Sequence, residues 1–359
     1  MPIQDRISDN HIFEFNGKDI YEIFDRPLFR KIIESRAFRR LSNIHFLGGI
    51  DYLIPANSRF VRRHNRYQHT LAVASLAKRY AVASRVENAD SDKVIAAALL
   101  HDIGHAPLSH SLESAFKMIY GLDHHKVGRE MVLGVNPLGA EIVRSLEDGG
   151  IDPVEINGLI DGSISIPGAD IFSREINVDT IEGVLRSARY LNCGVWLNPN
   201  SVLDALVSLD AASQSTLDQF WVQKGVVYTA LIQSKNGAMA DLICSAYMQS
   251  NKANFRLDDY WATEVKFRRC HQAMFSDLDE FRKCGVLPDY AMSYIEVSEV
   301  AQRSFYIDQS VELSSPEHLD LRYRQEKRVR KLLTSQFRRT GGGWRAVNTD
   351  RKGLFERDD

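Results

Sequence analysis

Cysteine is scarce in this chain of 359 residues: Cys193, Cys244, Cys270 and Cys284 stand alone, with no pair at the spacing of a thiolate metal knuckle or a redox motif. A disulfide framework and a cysteine-held zinc are therefore set aside, and a reducing cytoplasm is the expected compartment. The opening MPIQDRISDN lacks the basic-then-apolar pattern of a secretory signal. Long apolar runs are missing as well. Val94 to Leu100 is stopped by His101-Asp102, well short of the roughly 20 residues a membrane helix needs, so no membrane role is expected. Neither sign of charge dominates: 45 basic and 47 acidic residues leave a net charge of −2, which excludes a wholly basic nucleic-acid binder while leaving local basic patches open. No internal repeat or low-complexity linker is visible.

Helical periodicity fills most of the chain. Pro27 to Ser42 places Leu28, Phe29, Ile32, Ile33, Phe38 and Leu41 on one face, and similar patterns run through Tyr67 to Val82, Asp92 to Leu100, Glu141 to Leu146, Ile181 to Leu191 and Val202 to Leu209. Strand-like runs are few; Gly225 to Tyr228 is read as one. The fold class is therefore all-α with few short strands. Residues 1–200 are read as one core with its N-terminal helices and 201–337 as a helical extension packed on it. Residues 338–359, with Gly341-Gly342-Gly343 and mixed charges, are read as a mobile tail. Arg322 to Lys331 forms a basic run on a helix or strand, read first as a solvated face.

Histidine is where the chain is rich. Seven of its eleven histidines fall between His64 and His125. His101-Asp102 follows an apolar helix directly and offers adjacent imidazole and carboxylate groups, a pair suited to one divalent ion. Further ligands must come from other elements. His69 stands at the head of one amphipathic helix, and Asp179 is a polar position inside another apolar-periodic segment; both can face inward.

In this order, His69, His101-Asp102 and Asp179 resemble the HD superfamily of metal-dependent phosphohydrolases. More narrowly, Arg39-Arg40-Leu41, Leu47-Gly48-Gly49, Asn65 to Leu71 and His101 to His110 resemble the deoxynucleoside triphosphate triphosphohydrolase branch, over roughly residues 27 to 190. The resemblance implies an HD-domain fold and one divalent ion on His69, His101, Asp102 and Asp179, with manganese, iron, nickel or zinc suited to such ligands and magnesium possible with the substrate. It implies hydrolysis of a deoxynucleoside triphosphate to nucleoside and triphosphate by metal-activated water. It gives His105 a phosphate or proton-transfer role, makes Arg66 and His110 phosphate contacts, and has Glu113 orient a catalytic histidine, either His124 or His125. His110 with His124-His125 could also complete a second ion site. The basic cluster Arg59, Arg62 and Arg63 is a solvated loop or a polyphosphate or single-stranded nucleic-acid contact. A homo-oligomer, dimer or higher, is expected by the same resemblance.

The chain departs from that branch where the sugar and phosphates are read. Phe46 replaces a glutamine before Leu47-Gly48, and Thr180, Gly183 and Ser187 replace a basic residue, a tyrosine and an aspartate after Asp179. Nucleotides remain the expected substrate class, with an apolar or stacking role open to Phe46. The alternative is an HD-type nucleotide phosphomonoesterase or nuclease, or a nucleotide sensor with little turnover.

Overall fold

The structure, a computed structural model, describes residues 13–53, 64–191, 197–295, 298–332 and 334–347, without the side chains of 13–18 and Glu299. It is mostly helical, as expected, with two small antiparallel strand pairs.

The helix Asn88–Leu100 is the central post. Val94 to Leu100 are all buried, so this segment is apolar on every side and must be surrounded. Arg66–Ala83 and Pro153–Asp161 pack against it, and Phe13–Asp25, Val178–Leu191 and Pro199–Ser208 enclose Arg66–Ala83. A capping box fixes where Arg66–Ala83 begins: the Asn65 side chain accepts from the Gln68 backbone N–H, and Gln68 reaches back to the Asn65 backbone. That start sets the rotation of His69, one turn in.

The Pro27 to Ser42 periodicity is real but broken. Ser35 ends the helix Pro27–Glu34 in an extended conformation and caps the next, Arg36–Arg40, by accepting from Phe38 N–H. Gly225 to Tyr228 is not a strand: Ala211–Val227 is one helix, followed by a π-helical turn at Tyr228–Ile232. The β-branched Val226-Val227 pair suggested a strand, and packing of Leu217, Phe220 and Trp221 overrides it.

The basic run is a strand. Tyr323–Lys331 pairs with Glu299–Ile307 in the register Ile307 to Tyr323 through Glu299 to Lys331. One face of this ribbon caps Trp221, whose ring lies 5.6 Å from Phe305 and 5.4 Å from Tyr323. Lys327, Arg328 and Lys331 are exposed, as a solvated face requires, but Arg322 is buried and paired with Asp218 at 2.6 Å. The proposed tail needs correction too. Phe337–Thr340 and Gly343–Ala346 form a hairpin, docked through reciprocal backbone bonds of 2.7 and 2.9 Å between Leu287 and Trp344. The rest of that segment, 348–359, and the cluster Arg59, Arg62 and Arg63 lie outside the described residues. Among the described residues no helix is long and apolar enough to cross a membrane.

The chain after residue 200 is stapled to the histidine-rich region by a buried carboxylate. Glu264 accepts from the backbone N–H groups of His45 (3.0 Å) and Leu108 (3.2 Å) and from the Tyr52 hydroxyl (2.5 Å). The turn it holds is strained: Leu108 and Ser109 have φ of 60° and 46°, unusual for residues with side chains. Gly48 is required beside it, because a Cβ there would lie 2.2 Å from the Leu108 carbonyl oxygen.

Candidate active site

Three helices bring the expected metal residues together: Arg66–Ala83 carries His69, Asn88–Leu100 runs into His101 and Asp102, and Val178–Leu191 carries Asp179. The helix Asn88–Leu100 ends in the buried interior, so His101 and Asp102 leave it at the molecule's centre. His101 Nδ1 lies 2.8 Å from the Ala98 carbonyl oxygen and donates to it, which turns Nε2 toward the site. The Arg40 guanidinium and the Tyr260 hydroxyl hold the following turn by donating to the carbonyls of Ile103 (3.0 Å) and Gly104 (2.9 Å). Asp179 opens the helix Val178–Leu191, where Asn177 accepts from the Thr180 backbone N–H at 2.8 Å. Thr180 thus serves the helix start.

His69 Nε2 lies 3.1 Å from Asp179 Oδ1 and 3.5 Å from Asp102 Oδ2; His101 Nε2 lies 3.8 and 3.6 Å from the same two carboxylates. One atom each from His69, His101 and Asp179 falls within 4.8 Å of the others, a group able to hold a metal ion. Asp102 stands at its edge. The fit to a divalent ion is supported by the buried Nε2 atoms of His69 and His101, which face the two carboxylates without the geometry of a hydrogen bond, an expensive arrangement unless a cation binds between them. Electrostatics agree. Burial would lower both imidazoles, but Glu182, Asp179 and Asp102 outweigh it at His69, and Asp102 with Asp179 push His101 up to about 9. Asp102 and Asp179 are held well below the usual carboxylate range against the effect of burial, Asp102 chiefly by Arg66 and Asp179 by the two histidines.

Arg66 is buried and largely spent on protein. It donates to Asp102 (2.7 Å), Ser109 Oγ (3.1 Å) and the Phe46 carbonyl (3.2 Å). It therefore positions Asp102 as well as lining the cavity beside it. His105 Nε2 lies 3.2 Å from Asp102 Oδ1, and burial together with Arg66 depresses its pKa, favouring the neutral ring.

Beyond His105 lies a second imidazole group. Its ring stacks on His124 at 4.2 Å and meets His110 edge-on at 4.7 Å. Glu113 accepts from Nδ1 of both His110 (2.9 Å) and His124 (2.7 Å), and the two rings hold its carboxyl far below the usual range despite burial. His105, His110 and His124 also form a group able to hold a cation. His125 touches His124 at 3.9 Å but makes no bond to Glu113; of the two neighbours, only His124 joins the cluster. Gly104 makes this possible, since a Cβ there would lie 2.0 Å from the His124 carbonyl oxygen.

These groups face a cavity of about 790 Å³ lined by Arg66, Asp102, His110, His124 and Asp179 on one side. Phe46 forms part of its wall, 4.8 Å from the His69 ring and 5.0 Å from the Arg66 guanidinium. A Cβ at Gly183 would touch that ring at 3.6 Å, so Phe46 occupies the space beside the residue expected to be tyrosine. The far wall comes from the chain after residue 200 and includes Tyr228, Asp241, Ser245 and Arg303.

Sequence reasoning missed Glu182, Glu264 and Asp241. Glu182 alone carried a local signal: an acid three residues after Asp179, between the apolar Ile181 and Val184. The others act across more than a hundred residues.

Residues 66–155 match the HD domain family model. The chain carries an HD domain, in an all-α fold, and its resemblance to the deoxynucleoside triphosphate triphosphohydrolase branch has support among its relatives. It is 31% identical over 195 residues to the uncharacterized protein MG461 of Mycoplasma genitalium, covering 52% of this chain and 43% of that protein. It is 34% identical over 147 residues to the uncharacterized protein MJ1154 of Methanocaldococcus jannaschii, covering 40% and 29%. To the human deoxynucleoside triphosphate triphosphohydrolase SAMHD1 it is 36% identical over 97 residues, covering 25% and 15%. The chain thus spans less than half the length of these relatives.

Proposed function

We propose that this chain is a metal-dependent phosphohydrolase of nucleotides, and that its reaction is hydrolysis of a deoxynucleoside triphosphate to nucleoside and triphosphate. The observation that carries this reading is the convergence of His69, His101 and Asp179, with buried nitrogens that make no hydrogen bond, beside a cavity also lined by Arg66, His110 and His124. Those residues, with Asp102 at the edge, would hold one divalent ion. Such an ion supplies a water of lowered pKa and a polarised phosphoryl oxygen.

The protein's own groups then have separable tasks. Arg66 holds Asp102 in place and contributes positive charge where phosphate enters. His105, kept neutral, offers a hydrogen bond to a phosphate oxygen without adding a charge. Glu113 accepts from Nδ1 of His124, leaving Nε2 to carry a proton toward the departing sugar oxygen; we assign that transfer to His124, not His125, and phosphate contact to His110. Assembly of copies into a homo-oligomer belongs to the same proposal by resemblance, and contact with single-stranded nucleic acid belongs to it through the basic cluster Arg59, Arg62 and Arg63.

The test is a product analysis. The protein loaded in turn with manganese, iron, nickel, zinc and magnesium is incubated with each deoxynucleoside triphosphate. Nucleoside and inorganic triphosphate in equal amounts support the reading. Orthophosphate alone, or mononucleotides from DNA, would assign the site to a phosphomonoesterase or nuclease; intact nucleotide with a raised melting temperature would make it a sensor.

A further inference from the structure

The cavity contains one acid that the groups described above leave uncommitted. Its other aspartates are engaged, Asp102 with Arg66 and His105 and Asp179 with His69 and His101. Asp241 projects from the helix Lys235–Ser250 and is open to the cavity rather than packed into the core. Among the described residues no lysine or arginine pairs with it, and its hydrogen bond is to the Ser111 hydroxyl.

A carboxylate facing a phosphate site without a cation is costly, and the protein surrounding the cavity, which thins the water around the side chain, raises its pKa to about 6. Its position suggests what offsets that cost. An ionised carboxylate repels phosphate oxygens, so a phosphorylated ligand lies with its phosphates toward Arg66 and the imidazoles and its organic half toward Asp241. Where the HD side lies beside the metal residues, Phe46 presents a ring against Gly183 and Thr180 is tied to Asn177, so Ser114 and Ser187 are the polar side chains it adds to the cavity wall. The charged acceptor comes from the opposite wall, at Asp241.

We propose that Asp241 is a specificity-determining residue that accepts a hydrogen bond from an O–H or N–H donor on the organic half of the substrate. This rests on the phosphohydrolase reading above. The donor is a sugar hydroxyl or a nucleobase amino or imino group; both offer the same chemistry to a carboxylate.

The experiment compares wild type with Asp241→Ala and Asp241→Asn, reading kcat/KM for deoxynucleoside triphosphates relative to bis(p-nitrophenyl) phosphate, which has no O–H or N–H donor. The ratio should fall by roughly 30- to 100-fold in Asp241→Ala and by less in Asp241→Asn, whose amide oxygen still accepts. Bound metal and melting temperature identify a variant that has lost its site or fold. If the difference between variants disappears with 3′-deoxy substrates, the sugar hydroxyl is the donor; if it disappears when deoxyinosine replaces deoxyguanosine, it is the base amine. An unchanged ratio across all substrates overturns the proposal. If wild type hydrolyses no phosphoester, the phosphohydrolase reading has failed on its own, and calorimetric titration with intact deoxynucleotides decides the point: equal affinity for wild type and Asp241→Ala overturns the Asp241 contact.

Discussion

The Glu182 carboxylate lies 2.5 Å from Nδ1 of His69 in a wholly buried contact, and Arg186 continues the chain from Glu182 to His64 Nδ1 at 2.8 Å. With Nδ1 committed to Glu182, the His69 ring is fixed and Nε2 is directed to Asp179 and Asp102. The Arg186 charge overcomes the effect of burial and lowers the Glu182 carboxyl to about 2, so it is ionised at every working pH. This carboxylate–imidazole pairing is how proteins orient a histidine for a metal.

Replacing Glu182 with glutamine should therefore weaken metal binding about 10- to 100-fold. Metal titration followed by elemental analysis reads this directly, without an assay of turnover. Because Arg186 would be left buried without its counter-charge, the melting temperature should fall as well, by an amount consistent with roughly 3 kcal/mol or more. Wild-type metal affinity in a folded Glu182→Gln protein would confine Glu182 to the stability of the fold.

The two adjacent histidines separate by their contact with Glu113. Substituting His124 with alanine removes the ring that Glu113 positions and that stacks on His105, and should lower kcat by about 100-fold or more. His125→Ala should stay within a few-fold of wild type. Steady-state kinetics on both variants, with metal content checked, would count against the assignment if the order were reversed.

How the sequence foretold some of this and not the rest follows from the reach of each signal. His69, His101, Asp102 and Asp179 were legible because each sits at a point where a periodic helix begins, ends or turns polar, and because short motifs surround them. The helix Asn88–Leu100 was legible for the same reason. Asp241 and Glu264 were not, since neither interrupts a local pattern; their partners Ser111, His45 and Leu108 lie more than a hundred residues away in sequence. Val226-Val227 misled because branched side chains fit a strand locally, while the burial of Trp221 and Phe220 decides the matter through contacts no window contains.

Glu264 offers a third test, of how the later part of the chain supports the histidines. Its removal leaves the N–H groups of His45 and Leu108 and the Tyr52 hydroxyl without their acceptor. Glu264→Ala should cost about 3 kcal/mol or more in denaturant unfolding. It should also relax the Leu108–Ser109 turn, from which Ser109 accepts a bond from Arg66. Glu264→Gln, which keeps an acceptor, should recover part of both stability and kcat. Equal behaviour of the two variants would show that the charge, not the hydrogen bonding, is what His45 and its neighbours require.

The stability of the protein should also report on Asp241 through pH. Its pKa is raised from 3.8 to about 6, so the folded state binds this proton more tightly than the unfolded state does. Stability contributed by the protonated form is fully present below about pH 4 and is lost as pH rises through 6. Asp241→Asn has no such loss. It should melt above wild type at pH 7.5, by about 2 °C given the solvent screening of a side chain open to the cavity, and the difference should shrink toward zero at pH 4. Differential scanning calorimetry across that range checks the sign, and a variant less stable than wild type at pH 7.5 would refute it. A gain in stability coupled to a loss of discrimination among nucleotides would mean that the acid is held in the cavity at the expense of the fold, which is what a residue retained for its ligand does.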